Sequence, residues 1–211
     1  PDLEAYAKAK WKIFQNQGPE DWLILNRDDG RLVEAAQRAP SQILWTSLHG
    51  PVEGAYRQWD ELFISVGEGP SLLGRVKDLP FFGDHQVQNG LAASLAAYLA
   101  GAALDKIRTA LRTLKSPPHR LEVVRFRQGV LYVNDSKSTA PAATLVALDS
   151  FTRPVVLIAG GQRKDVDLAA FAERVLGRCK AVVCMGESGP ALAAALRSAA
   201  GGVSLHLCAG M

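Results

Sequence analysis

A polar run at residues 134–139, Asn-Asp-Ser-Lys-Ser-Thr, combines an acid, a base, an amide and three hydroxyl groups. It directly follows an apolar stretch, Val130 to Val133, that is typical of a β-strand. In an open α/β sheet, the loops at the carboxyl ends of strands line the ligand crevice. We therefore expect the polar side chains of this loop to face a ligand together. They belong to Asn134, Asp135, Ser136, Lys137 and Thr139.

A purely structural role for the same loop stays open. The alanine- and leucine-rich stretch at residues 140–148 predicts a helix with Pro141 in its first turn. Asp135 or Ser136 could cap that helix, because short polar side chains satisfy the free N–H groups of a first helical turn.

The composition is that of an ordinary soluble α/β protein with room for two modest domains. The chain has 211 residues, of which 48% are apolar and 21% charged, and its formal net charge is +3. It contains no run of arginine and lysine, so an anionic small molecule is a better expected ligand than a nucleic acid. No apolar stretch is long enough for a membrane span, and no secretory signal is visible, which favours a cytoplasmic protein.

The cysteines and the chain ends add two further expectations. Cys179, Cys184 and Cys208 are odd in number, lie in apolar segments and lack Cys-x-x-Cys spacing, which predicts reduced thiols in the core. The chain begins at Pro1 and stops at Met211, directly after a strand-like run. We therefore expect a fragment of a longer protein.

The order of predicted elements indicates two α/β domains, residues 1–116 and 117–211. In the first domain, helices and short apolar strands alternate as in a parallel sheet, and residues 47–82 are more typical of an antiparallel meander. Two prolines, Pro117 and Pro118, cannot continue the preceding helix and mark the boundary. Beyond them, the pattern predicts a hairpin around Gln128 and Gly129, and then alternating helices and strands.

Four other positions carry residues that could bind a ligand, and each also has a purely structural interpretation. Gly160 and Gly161 precede Lys164 and could admit an anion, or they could form an ordinary turn. Arg120 could bind a phosphate through two hydrogen bonds, or it could be an ordinary surface arginine. Asn89 follows a helix start that could receive a nucleotide, or Asp84 could simply cap that helix. Taken alone, Lys10 is typical of a solvated helix face.

Considered together and in order, these clusters resemble the Mur ligases, which build bacterial peptidoglycan. The motifs that carry the resemblance lie at residues 6–10, 25–29, 83–89, 118–122, 134–139 and 159–164. The Asn-Asp-Ser-Lys-x-Thr run favours the branch of the family that adds D-glutamate to UDP-N-acetylmuramoyl-L-alanine.

The resemblance implies a fold and a reaction. The fold is part of a P-loop-type central domain followed by a Rossmann-like α/β C-terminal domain. The reaction is ATP-dependent amide formation through an acyl phosphate, with Mg²⁺ as a second cofactor. The substrates are small molecules, and the full-length protein is expected to be a monomer in the cytoplasm.

The resemblance also implies roles for individual residues. Lys10 corresponds to a carbamylated lysine that ligates Mg²⁺, a modification that requires an amine kept partly neutral by burial. The implied ATP contacts are Asn89, Arg120 and Asp135. The implied contacts to the transferred phosphate and to D-glutamate are Lys137, with a catalytic role, Thr139 and Lys164.

Some features depart from the family pattern. Gln86 replaces an asparagine near the adenine, and Ala140 replaces an asparagine at a helix start, which puts one contact and one helix cap in doubt. The sequence contains no Gly-x-x-x-x-Gly-Lys-Ser/Thr phosphate loop, so we expect no ATP turnover by this chain alone. A sister Mur or folylpolyglutamate-type ligase and a non-catalytic nucleotide or amino-acid binding module remain alternatives.

Overall fold

A computed structural model describes residues 3–162, 168–199 and 202–209. The chain divides into two compact units, Pro1–Lys115 and Ser116–Met211, called here the first and second unit. This division lies one residue before the domain boundary predicted at residues 116 and 117.

The first unit is built on a five-stranded mixed sheet in the order β1-β2-β3-β4-β5. The first three strands are parallel, and β3, β4 and β5 are antiparallel, which confirms the predicted change from βαβ alternation to a meander. Its strands are β1 (Trp22–Asn26), β2 (Gln42–Ser47), β3 (Gly54–Gln58), β4 (Glu61–Ser65) and β5 (Ser71–Arg75). Its helices are α1 (Leu3–Trp11), α2 (Gly30–Ala36), α3 (Asp84–Leu99) and α4 (Leu104–Thr113), with short 3-10 turns at Lys12–Phe14 and Val76–Asp78.

Helix α3 covers the sheet of the first unit with a stripe of apolar residues. Val87, Leu91 and Leu95 recur every four residues, which places them on one helix face. They pack with Leu44 and Leu62 of the sheet, and all five side chains are almost fully buried. Each buried leucine stabilises the fold by about 1.5–3 kcal/mol, so this stripe fixes α3 against the sheet.

The second unit begins with a two-stranded antiparallel hairpin, β6 (Glu122–Arg127) and β7 (Val130–Asn134). Gln128 and Gly129 form its turn with φ values of 50° and 78°. Two consecutive positive φ angles are the signature of the two-residue turn that matches strand twist, so the predicted hairpin is confirmed.

A three-stranded parallel sheet in the order β10-β9-β8 forms the rest of the second unit. The strands are β8 (Val155–Gly160), β9 (Cys179–Met185) and β10 (Ser204–Cys208), and the helices are α5 (Pro141–Asp149), α6 (Ala169–Leu176) and α7 (Gly189–Ser198). Val175 and Leu196 of the helices pack against Val182 and Cys184 of the central strand. This alternation confirms the predicted α/β class.

The expectation that all three cysteines lie in the core is wrong for one of them. Cys179 and Cys184 are buried on the central strand, whereas Cys208 is exposed. Cys208 ends β10, which is an edge strand of the described sheet. An edge strand has a neighbour on one side only, so its side chains are less covered than those of the central strand.

Candidate functional site

The loop at residues 134–139 is tied to residues 119–122 by a set of hydrogen bonds, which we call the clasp. Oδ1 of Asp135 accepts from the backbone N–H of Leu121 at 3.0 Å, and Oδ2 accepts from the hydroxyl of Ser138 at 2.6 Å. The backbone N–H of Lys137 donates to the carbonyl oxygen of His119 at 3.1 Å. The end of the hairpin is therefore joined to the segment that precedes it.

Asn134 and Glu122 complete the clasp. The side chain of Asn134 contacts Nδ1 of His119 through its Nδ2 atom at 2.8 Å, and its Oδ1 accepts from the N–H of Ser136 at 3.1 Å. Glu122 accepts from the N–H of His119 at 2.8 Å. The backbone N–H groups of Ser136 and His119, which have no partner in a strand ladder, are thereby hydrogen-bonded.

Two residues of the clasp have an unusual backbone conformation. His119 and Leu121 have φ values of 65° and 45°, although neither is glycine. Such a conformation costs about 1–3 kcal/mol at each residue and persists only where surrounding contacts impose it. Leu121 is buried and its N–H is held by Asp135, so the clasp supplies those contacts. The structural roles of His119 and Leu121 were not predictable from the sequence, because neither residue type indicates a positive φ.

The clasp leaves two cations available at the surface. Arg120 and Lys137 are exposed, and within the part of the chain that the structure describes neither side chain forms an ion pair. Thr139 is exposed as well, and its N–H donates to the carbonyl oxygen of Lys137 at 3.0 Å. Arg120 and Lys137 lie on segments in backbone contact, an arrangement suited to a phosphate or carboxylate ligand.

Two expectations about this loop need correction. Strand β7 belongs to the antiparallel hairpin and not to the described parallel sheet, so the loop does not follow a strand of an open parallel sheet. Asp135 and Ser136 do not cap α5, because Ala140 occupies the N-cap and makes no side-chain hydrogen bond. The doubt that Ala140 raised about this helix cap is therefore confirmed, and the clasp engages the side chains of Asn134, Asp135 and Ser138 instead.

The glycine pair after β8 is required by the neighbouring strand. A Cβ atom at Gly160 would collide with the backbone carbonyl of Met185, and φ at Gly160 is +153°. The N–H of Gly161 donates to the same carbonyl oxygen at 3.3 Å. Packing alone therefore explains Gly160, while Lys164 lies outside the described residues.

The two predicted site residues of the first unit, Lys10 and Asn89, are both exposed. Lys10 lies on α1 with its amine 5.3 Å from the ring centroid of Tyr6, a cation–π contact. The burial that carbamylation was expected to need is therefore not provided by the described residues. Asn89 lies on α3, and its Nδ2 is 3.5 Å from Oε1 of Gln86, a long contact that leaves the amide accessible.

The start of α3 rules out the alternative in which Asp84 caps the helix. Gly83 is the N-cap, with φ of 86°, and Asp84 is the first helical residue. Asp84 instead accepts from Arg57 at 2.7 Å, and Nε of Arg57 donates to the carbonyl oxygen of Leu48 at 3.2 Å. Arg57 thus anchors the helix start to the loop after β2.

A second polar cluster, at the ends of β1 and β2, includes part of the motif at residues 25–29, to which the sequence analysis gave no role in the site. Asp28 accepts from the hydroxyl of Ser47 and from the N–H of Leu48, both at 2.7 Å. Gln88 of α3 donates to Thr46 at 2.6 Å, and its buried Oε1 has no hydrogen-bond partner. The signal available in the sequence was an aspartate just beyond a buried strand, which is also the pattern of an ordinary turn.

Other structural features bear on the expected ligands. Among the described residues, no group of three or more His, Cys, Asp or Glu side chains could hold a metal ion, and no helix could span a membrane. A cavity of about 510 Å³ in the first unit is lined by residues such as Pro51, Tyr56 and Glu68, and no predicted site residue lines it. Burial raises the pKa of the Cys179 thiol to about 11 and also raises that of Cys184.

Both units match domains of one protein family. Residues 1–97 match the Mur ligase middle domain, and residues 119–210 match the Mur ligase glutamate ligase domain. The chain belongs to the Mur ligase family, as the sequence motifs indicated.

Curated relatives within the family share one name. The UDP-N-acetylmuramoylalanine–D-glutamate ligase of Rubrobacter xylanophilus is 41% identical over 191 residues, which cover 90% of this chain and 41% of that protein. The enzyme of the same name from Salinibacter ruber is 38% identical over 192 residues, covering 89% of this chain and 42% of that protein. The chain thus spans about two fifths of the length of these relatives.

Solved structures show the same fold at lower identity. MurF from Acinetobacter baumannii superposes with a TM-score of 0.72 at 20% identity, over 97% of this chain and 46% of that chain. MurC from Thermotoga maritima gives 0.65 at 16% identity, over 98% and 46%. At these identities the likeness establishes the fold alone, and it confirms the expected α/β fold class.

Proposed function

We propose that this chain forms part of an enzyme that joins D-glutamate to UDP-N-acetylmuramoyl-L-alanine in peptidoglycan synthesis. The observation that carries the proposal is the 41% identity, over 90% of the chain, to a ligase named for that reaction. The reaction forms an amide bond at the expense of ATP, through an acyl phosphate that the amine of D-glutamate attacks.

Arg120 and Lys137 are the cations that we assign to the phosphate and carboxylate groups of the ligands. Phosphoryl transfer depends on positioning and on charges that offset those developing on the transferred group. Support comes from their exposure, their freedom from ion pairs among the described residues, and the backbone contact that the clasp makes between their segments. Thr139 and Lys164 are assigned to the amino-acid substrate on the family resemblance.

Asn89 and Asp135 are assigned to the nucleoside of ATP. Each oxygen of Asp135 already accepts one hydrogen bond, from Leu121 or from Ser138. A carboxylate offers about four acceptor sites, so capacity for ribose hydroxyls remains after the clasp is made. The exposed amide of Asn89 has donors and an acceptor suited to an adenine edge.

Lys10 is assigned to Mg²⁺ as a carbamate. Modification would replace an ammonium group by a carboxylate-like oxygen ligand, which Mg²⁺ favours. Because no acidic cluster of the described residues surrounds it, the remaining ligands of the ion would come from other parts of the whole enzyme. We assign this enzyme to the cytoplasm, acting on small-molecule substrates as a monomer.

A chimera tests the proposal. The segment of the Rubrobacter xylanophilus ligase that aligns with this chain is replaced by this chain, so that the relative supplies the remainder. We expect ATP-dependent formation of the D-glutamate adduct, with release of inorganic phosphate. The unaltered relative and a chimera carrying Lys137→Ala serve as positive and negative controls.

Two outcomes of the chimera experiment would contradict the proposal. Adduct formation with L-lysine or diaminopimelate in preference to D-glutamate would support a sister ligase. A folded chimera that binds ADP and D-glutamate in calorimetric titration but forms no adduct would support a non-catalytic binding module.

A further inference from the structure

A basic cavity lies in the second unit, between the loop that precedes β8 and the loop that precedes β9. It has a volume of about 330 Å³ and is lined by residues 151–154 and 177–180. Strands β8 and β9 are parallel neighbours, with Val155 paired to Cys179, so these two loops meet at the amino ends of the strands.

The cavity is separate from the end of β8 that carries the glycine pair. That pair lies at the carboxyl end of β8, and the strand runs from Val155 to Gly160. A strand of this length spans roughly 17 Å at about 3.3 Å per residue. The cavity and the glycine pair therefore lie at opposite ends of β8. The anion contact expected at Gly160 and Gly161 does not involve the cavity, which has no assigned role.

Positive charge dominates the cavity and its surroundings. Arg153, Arg178 and Lys180 line it, and Arg174 is linked to Arg178 through Asp149. Asp149 pairs with Arg174 at 2.6 Å and with Arg178 at 3.0 Å, so one carboxylate is shared by two guanidinium groups. Arg153 and Lys180 are exposed and have no ion-pair partner within the described segments.

The remaining wall of the cavity brings no negative charge. Cys179 lines the cavity, and burial raises the pKa of its thiol to about 11, so the thiol is neutral near pH 7. The five ionised groups around the cavity, four cations and one shared acid, leave a surplus of three positive charges. A phosphate group carries about −1.5 to −2 charges near neutral pH, so two linked phosphates match this surplus.

We propose that this cavity binds a diphosphate group, with Arg153 and Lys180 as its principal contacts. Unpaired cations make charge-assisted hydrogen bonds to phosphate oxygens, and the pair between Asp149 and Arg178 holds a third cation in place. The diphosphate can belong to inorganic pyrophosphate or to a nucleoside diphosphate.

Calorimetric titration of the 211-residue chain tests this proposal with inorganic pyrophosphate, ADP and orthophosphate as probes. Arg120→Ala and Lys137→Ala are introduced first, so that phosphate binding at the clasp does not contribute. In that background we expect pyrophosphate to bind more tightly than orthophosphate. Adding Arg153→Ala and Lys180→Ala should weaken pyrophosphate binding by about tenfold or more.

A matched control removes two exposed cations from the first unit, Lys77→Ala and Arg112→Ala, neither of which forms an ion pair among the described residues. It should leave the affinity for pyrophosphate unchanged. Comparable binding of ADP would identify a nucleotide as the source of the diphosphate, and binding of pyrophosphate alone would identify the inorganic ion. Absence of binding, equal affinity for orthophosphate, or an unchanged affinity in the cavity variant would overturn the proposal.

Discussion

Nδ2 of Asn134 lies 2.8 Å from Nδ1 of His119, which connects the end of β7 to the segment that precedes β6. An amide N–H that donates to Nδ1 favours the tautomer of His119 that carries its proton on Nε2. The same asparagine accepts from the N–H of Ser136. One side chain therefore contacts both the ring of His119 and the backbone of the loop.

Replacing Asn134 by alanine should release both contacts. We expect the N–H of Ser136 to lose protection from hydrogen exchange and the ring nitrogens of His119 to populate both neutral tautomers. Exchange mass spectrometry measures the first change, and nitrogen NMR of the imidazole measures the second. Asn16→Ala, at an exposed asparagine of the first unit, is the control. An unaltered tautomer in the Asn134 variant would contradict the role given to this side chain.

The carboxylate of Asp135 should stabilise the second unit even without a ligand. Asp135→Ala removes hydrogen bonds to Leu121 and Ser138, and we expect the free energy of unfolding to fall by about 1–3 kcal/mol. Asp135→Asn keeps an acceptor and should cost less. Denaturant unfolding followed by circular dichroism measures the loss.

The tryptophans offer an internal control for the Asp135 variants. Trp11, Trp22, Trp45 and Trp59 all lie in the first unit, so their fluorescence follows that unit. We expect the fluorescence transition to stay in place when Asp135 is changed. If Asp135→Ala leaves the circular dichroism transition unchanged as well, the clasp contributes nothing to folding.

A methyl group at Gly160 should disrupt the edge where β8 meets β9. The added Cβ would collide with the carbonyl of Met185. In addition, the φ angle of Gly160 is one that residues with a side chain rarely adopt. We expect Gly160→Ala to lower the unfolding free energy of the second unit by about 2 kcal/mol or more. Gly18→Ala, where a Cβ meets open space, is the matched control. Equal stability of the two variants in denaturant titrations would show that the strand ends tolerate the methyl group.

Thiol labelling should distinguish the three cysteines. Cys208 is exposed and should react first with a thiol reagent near pH 8, while Cys179 and Cys184 are shielded and carry raised pKa values. The rate at each cysteine is followed by peptide mass spectrometry. Rapid labelling of Cys179 in the folded protein at pH 8 would contradict its burial.

The raised pKa of Cys179 also predicts a pH dependence of stability. A thiol that titrates near 9.0 when unfolded and at about 11 when folded binds its proton more tightly in the native state. Its contribution is fully present below pH 9 and is lost as the pH rises through 11. Cys179→Ser provides the comparison, because its hydroxyl does not titrate in this range. The wild-type chain should therefore lose more stability than the variant between these two pH values.

The 211-residue chain should not hydrolyse ATP. Its sequence lacks the glycine-rich phosphate loop that holds the β- and γ-phosphates, and phosphoryl transfer depends on that positioning. Phosphate release in the presence of ATP, Mg²⁺ and D-glutamate should equal the buffer rate, with the Rubrobacter xylanophilus ligase as positive control. ATP-dependent turnover by this chain would show that another group replaces the loop.

The element order was predictable because it follows from local patterns. The turn at Gln128 and Gly129 and the alternation of strands and helices both have short-range signatures in the sequence. Sheet membership has no such signature: the hairpin of β6 and β7 was predicted, but not that it forms a two-stranded sheet separate from β8, β9 and β10 in the described structure.

The site was less predictable than the fold. Asp135 was read as a possible helix cap, but its partners are Leu121, fourteen residues away, and Ser138. The exposure of Lys10 and Cys208 likewise depends on which elements cover them. The residue types indicated where polar side chains cluster along the chain. Tertiary contacts decide which of these side chains form hydrogen bonds within the protein and which remain exposed to a ligand.

The backbone contacts between the glycine pair after β8 and Met185 also bear on the entropy of ligand binding. Gly161 donates to the carbonyl of Met185 and accepts from the N–H of Ser188, so both its backbone groups are engaged before any ligand arrives. A ligand at this strand end would meet a backbone already fixed by the sheet. Preorganisation of this kind lowers the ordering cost of association, which leaves more of the contact energy as affinity.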